Sequence, residues 1–113
     1  MRVLFKVTFP VESGNESVVN GTLGNTVQSI LAEQKPEAVY FFAQDGKRGG
    51  ILVVDMKDTS EIPAYAEPWF LAFNANIEVH PVMNAEDLAR ATPTIQQAAK
   101  KYGTAKTRGA TAG

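Results

Sequence analysis

Two short runs in this chain carry apolar side chains on both faces of an extended backbone: Val39-Tyr40-Phe41-Phe42-Ala43 and Ile51-Leu52-Val53-Val54-Asp55-Met56. Between them lies Asp45-Gly46-Lys47-Arg48-Gly49-Gly50, a Gly-rich hairpin signal that makes the runs antiparallel neighbours. An antiparallel sheet normally gives one face to water, so strands that are apolar on both sides ask for two covers. A chain of 113 residues, 44% of them hydrophobic, holds material for one domain and one core. Its own helices cover one face of the sheet. The second cover is expected to be another copy of the chain.

The other elements follow from periodicity. Residues 2–9 alternate, with Val3, Phe5, Val7 and Phe9 on one side and Arg2, Leu4, Lys6 and Thr8 on the other. Pro10 ends that strand. Ser13-Gly14-Asn15-Glu16 has the spacing of a capping box, and Val19, Leu23, Val27, Ile30 and Leu31 recur at intervals of three and four. One helix is therefore expected to about Gln34, stopped by Lys35-Pro36. Gly21 and Gly24 each cost that helix about 1 kcal/mol against Ala, unless another backbone approaches there.

After the hairpin, Lys57-Asp58-Thr59-Ser60 is a capping cluster, followed by Ile62, Tyr65, Ala66 and Trp69 at helical spacing. Pro68 lacks an amide proton, so this helix is expected to end or kink there, leaving residues 69–73 as a separate turn. Residues 76–82 alternate as a last strand, with Pro81 marking an edge or an end. Asn84-Ala85-Glu86-Asp87 reads as another cap, and Thr92-Pro93 as a restart of helix through Ile95, Ala98, Ala99 and Tyr102. Residues 103–113 form a small, polar tail that orders only against a partner surface.

The order β-α-β-β-α-β plus a C-terminal helix, within one domain over residues 1–102, is the ferredoxin-like α+β arrangement. Its sheet order is 4-1-3-2, with all neighbours antiparallel and helices on one face. Two such sheets packed face to face bury the second apolar set and make a dimeric α+β barrel.

Several function classes are excluded. A net charge of -1 with interspersed signs offers no footprint for nucleic acid or anionic lipid. Apolar runs are far shorter than the about 20 residues that span a bilayer, and Arg2 and Lys6 break the first one too early for a signal peptide, so a cytoplasmic location is expected. The sequons at Asn15 and Asn20 are then incidental. The absence of Cys removes disulfides and thiolate catalysis, and a single His leaves too few ligands for a transition metal, so neither metal nor cofactor is expected. No Gly-x-Ser-x-Gly elbow is present.

Two segments, Phe5-Lys6-Val7-Thr8-Phe9-Pro10 and residues 67–79 from Glu67-Pro68-Trp69-Phe70 to Ile77-Glu78-Val79, resemble the dimeric α+β-barrel superfamily. The nearest pattern is that of the small muconolactone-isomerase-like proteins and their uncharacterised bacterial relatives. The resemblance covers residues 2–82 and implies a ferredoxin-like fold in an obligate homodimer, or a higher oligomer built from it. The matching segments form the fold and carry no catalytic signature, with Glu78 alone corresponding to the isomerase strand.

Glu78 and His80 lie two apart on the last strand, hence on one face, about 6 to 7 Å from each other along it. If that strand neighbours the first, Lys6 and Thr8 join them as a charged patch in an apolar barrel, suited to proton transfer. The competing reading is an ordinary hydrogen-bonded pair at a dimer surface. Tyr40, Phe42, Tyr65, Trp69, Phe70 and Phe73 suit either a ligand cavity between helices and sheet or plain core and interface. The exposed amides and two cations of residues 45–50 suit an anion, against the simpler reading of a hairpin.

Two functions remain open. One is a cofactor-free, isomerase-like enzyme that moves a proton on a small apolar lactone, enol or quinone through Glu78, His80 and Lys6, with Tyr40, Phe42, Tyr65, Trp69 and Phe73 around the ligand. The other is a non-catalytic dimeric module that binds a small ligand or a partner. Whether the polar patch faces an enclosed pocket or bulk solvent separates them.

Overall fold

The computed structural model describes residues 1–103, so the expectation for the tail lies outside the described residues apart from Gly103. Two compact units divide the chain, Met1–Val82 and the segment from Met83 onward.

The first unit is built on a four-stranded antiparallel sheet: β1 (Arg2–Thr8), β2 (Ala38–Gln44), β3 (Lys47–Asp55) and β4 (Asn76–Pro81), in the order β2-β3-β1-β4. This is the ferredoxin-like order expected from the sequence. The alternation in β1 sends Val3, Phe5 and Val7 to the buried face beside Leu52 and Val54 of β3. Phe9, Ile30, Met56, Ala66, Trp69 and Phe73 close this core from the helical side. Phe9 stacks on Phe73 at 4.2 Å between ring centroids, and Phe73 lies 6.2 Å from Trp69.

The hairpin is tighter than the Gly-rich run implied. Gln44 pairs with Lys47, which leaves Asp45 and Gly46 as a two-residue turn. Both have positive φ, 52° and 77°, the geometry whose twist matches that of the flanking strands. Residues 47–50 therefore belong to β3. Gly50 answers a different need: a Cβ there would come within 2.6 Å of the Tyr40 carbonyl oxygen, and backbone cannot yield.

The helix expected over residues 13–34 is two helices, α1 (Val11–Val19) and α2 (Leu23–Gln34), set apart by Asn20, Gly21 and Thr22. Gly21, at φ 71°, is the break, whereas a Cβ at Gly24 would meet open space. Ser13 caps nothing. Its hydroxyl donates to the carbonyls of Pro10 (3.2 Å) and Phe73 (2.6 Å), and α1 starts directly after Pro10. The stop at residue 35 is as expected, with Lys35 in the left-handed region before Pro36.

A 3-10 turn, Thr59–Glu61, carries the capping box of Asp58 and Glu61 and leads into α3 (Ile62–Phe73). This helix runs through Pro68 without ending, against expectation. Pro68 removes the amide that would bond the carbonyl of Ala64, and the side chain of Gln34 takes its place. Gln34 Nε2 donates to Ala64 O at 3.2 Å and to Tyr65 O at 3.0 Å. Its Oε1 accepts from Trp69 Nε1 at 3.2 Å.

In the second unit α4 (Ala85–Ala98) starts at the Asn84 and Asp87 capping box, as expected, and passes Pro93 unbroken into a wider π turn, Ala99–Gly103. Within this helix Leu88 and Ile95 are exposed.

Candidate functional site

Within the first unit α1, α2 and α3 lie on one face of the sheet, and the register defines what the other face carries. One row runs Tyr40, Ile51, Lys6, Glu78 across all four strands, flanked by Ala38, Val53, Leu4, His80 and by Phe42, Gly49, Thr8, Asn76. Lys6, Glu78 and His80 are thus brought together. Glu78 Oε2 lies 3.7 Å from Lys6 Nζ, and Oε1 lies 3.2 Å from His80 Nε2. Thr8 shares their face one row along. The Glu78 side chain is 59% exposed and that of His80 54%, against 26% for Lys6, so in the single chain the patch faces outward. Beside it Leu4, Ile51 and Val53 are half-buried and Tyr40 and Phe42 are exposed.

The five aromatic residues read as ligand contacts are not brought together. Tyr40 and Phe42 stand on the uncovered face, with Phe42 also lining the cleft described next. Trp69 and Phe73 are core, 1% and 2% exposed, and Tyr65 lies against Phe5 at 5.5 Å. Among the described residues no group of three or more His, Asp or Glu converges as a metal ion requires.

The structure offers a concave site elsewhere, on the helical face at the end of the sheet where β2 and β3 meet α1 and α2. It is an open cleft of about 850 Å³. Phe9, Val11, Leu23, Val27, Leu31 and Phe41 make its apolar wall, and Asn15, Gln28, Lys47 and Arg48 supply the polar groups. Alternation explains the aromatic: Phe41 shares the helical face with Gly50 and Leu52, and it lines the cleft opposite α2 residues while staying 58% exposed.

Arg48 lies on the same face, opposite Ala43. Its Nη1 donates to Asn15 Oδ1 at 3.0 Å, and the guanidinium passes over Gly14 so closely that a Cβ there would come within 2.8 Å of Nη1. Among the described residues no acidic side chain lines the cleft. The sequence reading singled out neither Gly14 nor Asn15 as a site residue. The available signal was a glycine in the first helix at a buried position, the mark of a close approach by another group.

A four-stranded antiparallel sheet in the order β2-β3-β1-β4, with α1 to α3 packed on it, defines a small α+β domain of ferredoxin-like fold. The chain belongs to the DUF3303 family, a domain of unknown function, whose pattern matches residues 1–96. That span takes in the whole sheet, α1 to α3 and most of α4. No curated protein matches the sequence.

Proposed function

We propose that this chain is a small-molecule-binding domain that acts as a homodimer, with the cleft between α1, α2 and the β2-β3 hairpin as its site. The cleft carries the reading: its volume of about 850 Å³ falls within the roughly 300–1,000 Å³ of small-molecule sites, and its few polar groups stand at the edge of an apolar wall. The dimer is supported by the uncovered face, where Leu4, Ile51, Val53, Tyr40 and Phe42 form an apolar surface beside the charged patch.

A second reading, proton transfer of the muconolactone-isomerase kind, is supported by the contacts of Glu78 with Lys6 and His80. It needs the partner subunit to enclose the patch, because a general base works on substrate held out of bulk water.

One experiment separates the two. The neutral probe 2-naphthamide is titrated into the wild type, Val27→Trp and Glu78→Gln, while deuterium exchange of lactones and 1,3-dicarbonyl compounds is followed in parallel. Binding lost in Val27→Trp and kept in Glu78→Gln, with no exchange above buffer, establishes the binding domain. Exchange that Glu78→Gln lowers by about 10²- to 10⁴-fold establishes the enzyme instead.

A further inference from the structure

Building on the cleft as a binding site, we infer that its ligand is an apolar carboxylate whose anionic end is held by Arg48. The argument is one of charge and position. The cleft wall is formed by Phe9, Val27, Leu31 and Phe41, which select an apolar body, and Arg48 is the cation that the strand alternation places on this face. Lys47, one residue earlier, also lines the cleft, although by the same alternation it starts from the opposite face with Gln44, so it is the competing cation that the test must separate from Arg48.

Arg48 is also held ready. Asn15 accepts from Nη1, the missing side chain of Gly14 makes room for the guanidinium, and the Arg48 carbonyl accepts from the Phe9 amide at 2.8 Å. Asn15 is a neutral partner, so it orients the guanidinium and leaves its charge uncompensated. Among the described residues no carboxylate pairs with Arg48, and none lines the cleft. A planar fork with free donors beside an apolar wall matches a carboxylate in shape and charge, which a neutral ligand would waste.

The test compares 2-naphthoate with 2-naphthamide, which share an apolar body and differ in charge, on the wild type, Arg48→Met, Gly14→Ala and Lys47→Met. The naphthoate is expected to bind about tenfold more tightly than the amide, the scale of one charge-assisted hydrogen bond. Arg48→Met should erase that preference and leave the amide unchanged. Gly14→Ala, which keeps the charge and displaces the guanidinium, should reduce the preference even if Arg48→Met fails to fold, and Lys47→Met should preserve it. Equal binding of the two probes, or a preference that survives in Arg48→Met or disappears in Lys47→Met, overturns the assignment to Arg48 and leaves the cleft standing. Failure of both probes to bind overturns the assignment together with the cleft.

Discussion

Gln34 ties α2 to α3 through both ends of its side-chain amide. Its amide serves two carbonyls of α3 and the indole of Trp69, a side chain that is almost wholly buried. Gln34→Leu keeps the volume and leaves the indole N–H of the buried Trp69 without its partner, and a buried polar group so orphaned costs about 1–3 kcal/mol. The midpoint of urea denaturation should fall accordingly, with the slope unchanged. Nothing in the sequence pointed to this residue, because its partners lie some thirty positions away and a glutamine at a helix end has no distinctive pattern. Val3, Phe5 and Val7 were legible for the opposite reason: alternation is local, and burial follows from it. The Lys6, Glu78 and His80 cluster stood between these cases. The face was readable from parity, whereas the distances awaited the register of β1 with β4.

At the scale of elements, strands were read more accurately than helices. Each strand carried its own alternation, but a helix boundary depends on which competing contact prevails. The Ser13 pattern lost to the hydroxyl's bond with Phe73 O, and Pro68 lost to Gln34. The cleft stayed hidden because it arises where Phe41 stands opposite α2, a matter of packing between elements. Asp58 is a cap that did act as read. The backbone amide of Ser60, and then its hydroxyl, hold the Asp58 carboxyl below its ordinary value. A depressed folded value means that the ionised cap stabilises above the unfolded pKa of about 3.9 and loses that contribution as pH falls through the lower, folded value. Asp58→Ala should therefore lower Tm at neutral pH, and the gap from wild type should narrow as acid protonates the cap. A gap that widens in acid would contradict this assignment.

For the whole molecule, assembly turns on which residues face outward. Leu52 and Val54 point into the core, each 2% exposed, so they are not the positions at which to charge a dimer surface; Ile51 and Val53 are. Ile51→Glu should convert a dimer into a 12.2 kDa monomer in light scattering while the far-UV spectrum is kept. A wild type already monomeric at micromolar concentration would remove the dimer from the proposal. Within the unit over residues 1–82, the Gln34 clasp has a further consequence, for folding order. A proline five residues before the end of α3 interrupts the ladder of that helix, and the compensating donor belongs to α2. Docking of α2 thus supplies a bond that α3 cannot make for itself, and the amides of the two helices are expected to gain their protection from hydrogen exchange together.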